Sequence, residues 1–312
     1  MTVHQISLSQ ESLIGSFSTE VKPILTIDSG DTIRFQTLDA GWALGPTNAG
    51  RVKPFPRRDS PLDQGHALIG PIAIQNAKQG MTLEIHINDI IPGTYGWTSA
   101  GKYPNWQNLM LHLTEYEDIL LDWTLDPITM DGSCKINGST YTVSLRPFMG
   151  VMGMPPEVGS VHSTWPPRFC GGNIDCKELV KGSILYLPIP VDGGYFAVGD
   201  GHATQGDGEV SCQAIECPMD LVDLTLHLRE DMTLTTPRAN TPSGWLTFGF
   251  DEDLNVATIQ ALDAMLTLMG ELYGLDRVEA IALGSTVIDL RITQIVNGVK
   301  GVHACLPHGA IR

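Results

Sequence analysis

Charged residues and cysteines are both scarce in this sequence, and basic residues are scarcer than acidic ones. Only 17% of the 312 residues are charged, and 35 acidic residues against 19 lysines and arginines give a formal net charge of −16. Such a chain repels polyanions, so nucleic acid and anionic membranes are not expected as partners, and a neutral or cationic ligand is favoured. Six cysteines are too few for a disulfide scaffold, which indicates reduced thiols in a cytoplasmic protein.

Long apolar runs and several familiar motifs are absent as well. No stretch of roughly 18 apolar residues occurs, so no membrane-spanning helix is expected. Residues 1–18 lack the basic start and apolar run of a targeting segment. The sequence has no Gly-x-Gly-x-x-Gly opening a helix, no Cys-x-x-Cys and no Gly-x-Ser-x-Gly. These absences argue against an organic dinucleotide cofactor, a structural zinc knot and a serine-hydrolase elbow.

Glycine and proline, with 33 and 20 residues, divide most of the chain into short apolar segments. This rhythm is typical of short strands joined by turns. One example is the segment that begins at Thr82. Its apolar residues Leu83, Ile85 and Ile87 alternate with polar residues, as in a half-buried strand. Strands are predicted at 31–38, 82–90, 183–191, 195–198 and 287–296, and a long loop at 45–64.

One long segment has helical periodicity. From Leu254 to Tyr273 apolar residues recur at steps of three and four, and Gly274 follows as a stop signal. A shorter helix is predicted from Arg277 to Leu283. The sequence therefore predicts a mainly β fold with α+β additions and a helical C-terminal segment. A soft boundary near 147–159 separates an N-terminal β lobe, residues 1–150, from a β-rich lobe, residues 151–312; a single interwoven unit is the alternative.

The densest polar segment is GDGHATQGDGEVSCQAIE, at 199–216. Its glycines rule out a stable helix, and with it a helical His-Glu-x-x-His metal site. The segment is predicted to be a strand, a glycine-shaped loop and a returning strand in which Glu209, Ser211 and Gln213 share one face. The alternative without a catalytic role is an exposed hairpin with polar turn residues.

Asp200, His202 and Glu209 are the residue types that general acid/base chemistry uses, since a carboxylate and an imidazole can activate water and protonate a leaving group. The backbone N–H of Gly201, Gly206 or Gly208 could stabilise an oxyanion. The same side chains could instead hold a divalent ion, zinc or, where carboxylates dominate, calcium. A second polar segment, TWPPRFCGGNID at 164–175, is by itself only a stiffened turn before a strand.

Six blocks of the chain, in order, resemble the acetamidase/formamidase family. The stretch Gly-Asp-x-His-x-x-Gln-Gly-Asp-Gly-Glu within 199–209 is the most specific of them. The blocks are GDTIRFQTLDA at 30–40, GPIAIQNAKQGMTLEIHINDI at 70–90, PPRFCGGNID at 166–175, KGSILYLPIPVDGGYFAVGDGHATQGDGEVSCQAIE at 181–216, WLTFGFD at 245–251 and VIDLRITQIVNGVKGVHACLP at 287–307.

The resemblance implies hydrolysis of formamide, acetamide or a similar short amide to the acid and ammonia, on jelly-roll-like β-sandwich lobes in a homo-oligomer, a dimer or larger. It also implies a set of site residues by position. The expected catalytic residues are Glu209, His202, Asp200 and Asn173; the expected substrate-binding residues are Gln205, Gly201, Asp175 and Cys170; a divalent metal would be held by Asp200, His202, Asp39 and His66.

Two departures keep other interpretations open. Phe169 and Cys170 stand where the family often has an acidic residue and a histidine, and Cys212 lies one place later than the family's cysteine, which points its thiol to the opposite strand face. One alternative is a ligand-binding β-sandwich that has lost activity or changed specificity. A relative acting on a larger amide, or on a guanidine- or urea-derived compound, is another.

Overall fold

The computed structural model describes residues 1–46, 52–58 and 60–312, and most of its regular structure is β. The strands of the first half are β1 (Val3–Ile6), β2 (Leu13–Ile14), β3 (Phe17–Ser18), β4 (Leu25–Ile27), β5 (Asp31–Phe35), β6 (Ala43–Pro46), β7 (Val52–Pro54), β8 (Leu68–Ile74), β9 (Thr82–Pro92), β10 (Tyr95–Ala100), β11 (Ile119–Asp126), β12 (Asp131–Ile136), β13 (Ser139–Ser144) and β14 (Phe148–Gly153). Those of the second half are β15 (Val161–His162), β16 (Pro167–Arg168), β17 (Gly171–Asn173), β18 (Ile184–Pro188), β19 (Phe196–His202), β20 (Met219–Arg229), β21 (Arg238–Thr241), β22 (Gly244–Asp251), β23 (Asp289–Gln294) and β24 (Lys300–Pro307). The helices are α1 (Trp106–Met110), α2 (Leu254–Tyr273) and α3 (Arg277–Gly284), with 3₁₀ turns at Pro61–Asp63 and Leu113–Glu115.

Two large sheets build the core. The first runs in the order β1-β5-β20-β9-β18-β21-β22-β24-β23, and the second in the order β16-β17-β14-β19-β8-β2 with β4 beside β8. Phe35 and Leu224 of the first sheet and Phe196 of the second belong to one buried cluster, so the two sheets share an apolar interior. The predicted mainly β fold with a helical C-terminal segment is confirmed.

Helix α2 has the bounds that periodicity predicts. Asp253 caps its N-terminus by accepting from the backbone N–H of Asn255, and Gly274 ends it in the left-handed conformation, with φ of 70°. The helix packs so closely on β22 that a Cβ at Gly249 would lie 2.0 Å from the carbonyl oxygen of Ala257. This contact buries one face of α2 against the outer part of the first sheet.

Strands from both sides of residue 150 occupy both large sheets. In the first sheet β9 pairs with β18 and β20, and in the second β19 lies between β8 and β14. The division into residues 1–150 and 151–312 stays a prediction. In the predicted loop at 45–64, residues 47–51 and 59 lie outside the described residues, and the described part includes β7 and a 3₁₀ turn. Within the described residues, no helix combines the length and apolar character needed to cross a bilayer.

Candidate active site

Three adjacent strands of the second sheet bring the polar segments of the sequence together. Strand β14 pairs with β17 on one side and with β19 on the other. Asn173 ends β17, while Asp200 and His202 lie at the end of β19. Gly150 of β14 accepts a backbone hydrogen bond of 3.2 Å from Asp175, so the two polar segments converge over one glycine.

Four buried carboxylates surround one buried imidazole. His202 Nε2 lies 3.4 Å from an oxygen of Asp200 and 3.4 Å from an oxygen of Glu216, and its Nδ1 lies 4.0 Å from Asp175. Glu209, also buried, shares a group with His202 and Glu216 in which the ligand atoms all lie within 4.8 Å of one another. We call these five residues, Asp175, Asp200, His202, Glu209 and Glu216, the acidic cluster.

The backbone is strained at three members of the acidic cluster. Asp175, Asp200 and Glu209 have φ of 52°, 60° and 46°, in the left-handed region that residues with a Cβ rarely adopt. Such conformations cost of order 1–3 kcal/mol each and persist where the surrounding structure holds them, often at functional sites. The strain therefore indicates that the fold maintains the position of these carboxylates at a cost in stability.

Gln205 fixes the orientation of the imidazole. Its Oε1 is an acceptor 3.0 Å from His202 Nδ1, while its Nε2 donates to the backbone carbonyl of Asp175 at 2.9 Å. Because Oε1 can only accept, Nδ1 of His202 carries the hydrogen. Nε2 is thereby directed at the carboxylates of Asp200 and Glu216.

The members of the acidic cluster differ in pKa because each has different charged neighbours. Burial, followed by the charge of Asp175, raises the pKa of Glu209 well above its usual value. Burial acts most strongly, to raise the pKa of Asp200, but His202 and His66, together with a hydrogen bond from Glu216, outweigh it and lower that pKa to about 2. Burial opposes charge on His202, yet Glu216 and Asp200 raise its pKa well above the usual value. Burial raises the pKa of Asp175 and Glu216 as well, so these two carboxyls and Glu209 take up a proton readily, while Asp200 stays ionised.

The acidic cluster has the chemistry of a divalent-cation site. Asp175 Oδ1, Glu209 Oε2 and Glu216 Oε2 are buried and have no hydrogen-bond partner among the described residues. The 3.4 Å separations around His202 Nε2 are longer than ordinary N–H···O hydrogen bonds and suit ligand atoms that share one ion. Several carboxylates facing one imidazole need a cation or protons to offset their charge. A nitrogen-and-oxygen donor set of this kind suits zinc, or calcium where the carboxylates dominate.

We expect the purified protein to carry about one divalent ion per chain, bound by the acidic cluster. Asp200→Asn should lose the ion, because it removes a charged ligand beside His202. Elemental analysis after dialysis measures the metal content of both proteins. The exposed ion pair of Asp192 with Lys78 provides the control, and Asp192→Asn should keep the ion. Wild-type protein free of divalent ions after purification without chelators would contradict the prediction.

A cavity of about 940 Å³ connects the acidic cluster to solvent. Asn173, Asp200, Glu209 and Glu216 are among its lining residues, together with Trp97 on one wall. The backbone of Trp97 exchanges two hydrogen bonds of 2.9 Å with that of Glu216, which ties β10 to the site. A second cleft, of about 790 Å³ beside α2, is lined by none of the acidic cluster.

The predicted returning strand after Glu209 is wrong. Cys212 donates its backbone N–H to the carbonyl of Glu209 at 2.8 Å, and both residues have positive φ, so the chain turns there. Gly208 pairs instead with the end of β23, through a hydrogen bond of 3.0 Å to Thr293. The strain at Glu209 directs its carboxyl inward, toward His202, and not along a hairpin face.

The structure brings some of the predicted site residues together and leaves others apart. Asp175, Asp200, His202 and Glu209 are in the acidic cluster, Asn173 faces the cavity, and Gln205 and Gly201 lie directly beside the cluster. Cys170 is buried away from the cavity, where its thiol donates to the carbonyl of Met154 and burial raises its pKa to about 12.

Asp39 and His66, predicted as metal ligands, lie outside the group of converging ligand atoms. Asp39 accepts from the backbone of Ala43 at 2.7 Å and from Trp97 Nε1 at 3.0 Å. His66 lines the cavity, and its Nδ1 is 2.8 Å from the hydroxyl of Thr164. Both residues are therefore placed to support the cavity wall, and their roles stay predictions.

Sequence reasoning missed Glu216, Gly150 and Asn297. Glu216 closes the polar segment at 199–216, but its predicted strand setting gave no reason to turn it inward. Asn297 donates from Nδ2 to Asp175 Oδ2 at 3.3 Å and lines the cavity, although it is 122 positions away in the chain. A Cβ at Gly150 would lie 2.5 Å from Asp200 Oδ2 and 2.7 Å from Asp175 Oδ1, so only glycine leaves room for the carboxylates.

Comparison with known proteins gives a consistent result. Residues 159–309 match the model of the acetamidase/formamidase family. An acetamidase from Bacillus halodurans has 30% identity and a TM-score of 0.81, with 97% of each chain covered. A predicted acetamidase/formamidase from Thermoanaerobacter tengcongensis has 26% identity and a TM-score of 0.83, with 98% of this chain and 96% of that chain covered. A formamidase from Methylophilus methylotrophus is 54% identical over 54 residues, 17% of this chain and 13% of that protein. The aligned parts span 13% to 58% of the lengths of the curated relatives.

Proposed function

Because this chain belongs to the acetamidase/formamidase family, we propose that it hydrolyses the C–N bond of a short amide at the acidic cluster. In this reaction a water oxygen bonds to the acyl carbon, the C–N bond breaks, and the nitrogen leaves as ammonia with a proton taken from the water. The observation that carries the proposal is a set of buried, unpartnered carboxylate oxygens at the end of a solvent-connected cavity.

Glu209 is the general base in this proposal. Its Oε2 is buried without a hydrogen-bond partner among the described residues, and the residue lines the cavity. Its raised pKa makes its carboxylate a stronger base than an exposed glutamate, so it can accept a proton from the attacking water. The protonated carboxyl can then pass that proton to the departing nitrogen.

Asn173 orients the amide. Its Oδ1 is buried, faces the cavity and has no hydrogen-bond partner among the described residues, so it is free to accept from the amide N–H₂ group of the substrate. Gln294 holds Asn173 from behind by donating from Nε2 to its backbone carbonyl at 3.4 Å. This acceptor favours substrates with an unsubstituted amide nitrogen.

The inner end of the cavity holds three carboxyl groups beside one imidazole. These groups belong to Asp200, Asp175, Glu216 and His202. A divalent cation bound there supplies a Lewis acid for an amide carbonyl. Gln205 orients His202, whose Nε2 lies 3.4 Å from Asp200, and Asn297 steadies Asp175. These contacts keep the carboxylates in position without rearrangement during the reaction.

The test is ammonia release from formamide and acetamide by the purified protein. We expect turnover of at least one of them, in proportion to the fraction of chains that carry a divalent ion, and loss of turnover on treatment with a chelator. Binding of amides without ammonia release, by protein of full metal content, would favour the non-catalytic β-sandwich over the hydrolase.

The proposal also includes the location of the protein and its oligomeric state. All six cysteines are free thiols in the structure, which supports a reducing, cytoplasmic location. Helix α1 exposes Leu109 and Met110, and the adjacent Leu111 is exposed too, which supports burial of this surface in a homo-oligomer.

A further inference from the structure

The cavity above the acidic cluster is far larger than formamide or acetamide requires. Pockets of about 300–1,000 Å³ bury ligands of drug size, and this one, at about 940 Å³, is near the top of that range. Acetamide has only four non-hydrogen atoms, so it would occupy the space next to Asn173 and leave the outer part to solvent. The outer part therefore has room for a larger acyl group.

The outer wall is rich in apolar side chains that remain accessible. The first residues of β11 contribute Ile119 and Leu120, the loop before α1 contributes Tyr103, and Trp165 also lines the cavity. Leu120 is 54% exposed, Tyr103 76% and Trp165 49%. Large apolar side chains grouped at the mouth of a cavity mark a binding surface more often than isolated ones do.

Two aromatic side chains that line the cavity, Trp97 and Trp165, are held in place. Trp97 donates from Nε1 to Asp39 at 3.0 Å, and the ring of Trp165 lies 4.7 Å from the ring of His66, tilted by 53°. His66 is fixed in turn by Thr164, through contacts of its ring and its backbone. Held side chains lose little conformational entropy when they bind a ligand, which favours an apolar group between them.

Several polar groups that line the cavity are already engaged within the protein. Gln213 Oε1 accepts from the N–H and the hydroxyl of Ser99 at 2.7 and 2.6 Å. Asn108 Nδ2 donates to two backbone carbonyls, and the ammonium of Lys102 pairs with Glu117 at 2.7 Å. Arg57 donates to the carbonyl of Gly41. An incoming ligand thus meets apolar surface and, among the described lining residues, cations that already have partners.

We propose that this cavity binds neutral primary amides whose acyl group is apolar and larger than a methyl group, and that Leu120 and Trp165 contact that group. The inference rests on the proposed hydrolase function and assigns its substrate class. Asn173 would hold the amide end, and the distance from the acidic cluster to the wall would be spanned by the acyl chain. Anionic acyl groups are disfavoured by the carboxylates at the inner end of the cavity.

The test is a series of straight-chain primary amides, namely acetamide, butyramide and hexanamide, with phenylacetamide as an aromatic probe. Ammonia release by the metal-loaded protein gives kcat/KM for each. We expect kcat/KM to rise by about fourfold for each added methylene, the gain that burial of one methylene provides. Leu120→Ala and Trp165→Ala should each lower the ratio of hexanamide to acetamide by about fivefold or more, since each removes apolar contact area.

Ile128→Ala is the matched control, because Ile128 is 91% exposed in the turn between β11 and β12 and does not line the cavity. It should keep the wild-type ratio. Both test side chains are about half exposed, so their loss should leave folding intact. A flat or falling series in a wild-type protein that hydrolyses acetamide would overturn the substrate class and leave the hydrolase standing. Failure to hydrolyse any amide of the series, and formamide as well, would overturn both.

Discussion

Replacing Gly150 with alanine should reduce amide hydrolysis by at least about 100-fold, because displacement of reacting groups by about 1 Å can have that effect. The added Cβ would lie 2.5 Å from Asp200 Oδ2, 2.7 Å from Asp175 Oδ1 and 2.9 Å from His202 Cε1. The two carboxyls cannot both stay where they are, since the backbone of β14 is held by strands on both sides. We therefore expect loss of kcat and of bound metal together.

Activity, metal content and the urea midpoint of unfolding should be measured on the same preparation of Gly150→Ala. Gly249→Ala is the matched control, since its Cβ would lie 2.0 Å from the carbonyl oxygen of Ala257 in α2, in a contact that involves none of the acidic cluster. Gly249→Ala should lower the free energy of unfolding by about 1–3 kcal/mol, as overpacking does. At temperatures below its melting temperature, this variant should have the wild-type kcat/KM. A Gly150→Ala protein with full activity would show that the acidic cluster is not the reaction centre.

Some of the regular elements could be predicted because their signals are local. Helix α2 begins and ends where the spacing of its apolar residues and Gly274 indicate. The strand from Thr82 was also predicted from alternation, although it extends two residues further, to Pro92. A hydrophobic pattern of this kind depends only on which face is buried, and this face is buried by the shared core of the two sheets.

The part of the site that sequence reasoning missed depends on contacts between distant segments. Glu216 is directed inward because its backbone pairs with Trp97, and Asn297 reaches Asp175 from the turn after β23. Glu209 adopts a left-handed φ that no residue-type rule assigns to glutamate. Gly150 stands in an apolar strand with nothing local to distinguish it, and only the neighbouring carboxylates explain why it is glycine.

Glu209→Gln tests the general base directly, because the amide keeps the shape of the side chain and removes its basicity. We expect kcat to fall by about 10²–10⁴-fold, the usual contribution of a general base, while KM stays close to the wild-type value. That division follows from the proposed role, since Glu209 takes a proton in the transition state and does not hold the substrate in the ground state. Steady-state ammonia release on the best amide measures both constants.

Glu84→Gln is the matched control for the same chemical change. Glu84 pairs with Arg229 at 2.6 Å and with His86 at 2.6 Å on the first sheet, and it does not line the cavity. Its replacement should weaken the fold without changing kcat, whereas Glu209→Gln should change kcat without weakening the fold. A tenfold or smaller loss of kcat in Glu209→Gln, with metal content unchanged, would assign the proton transfer to another group. Glu216 would then be the next candidate, because it is the other carboxyl of the acidic cluster that lines the cavity with a raised pKa, caused by burial and by Asp200.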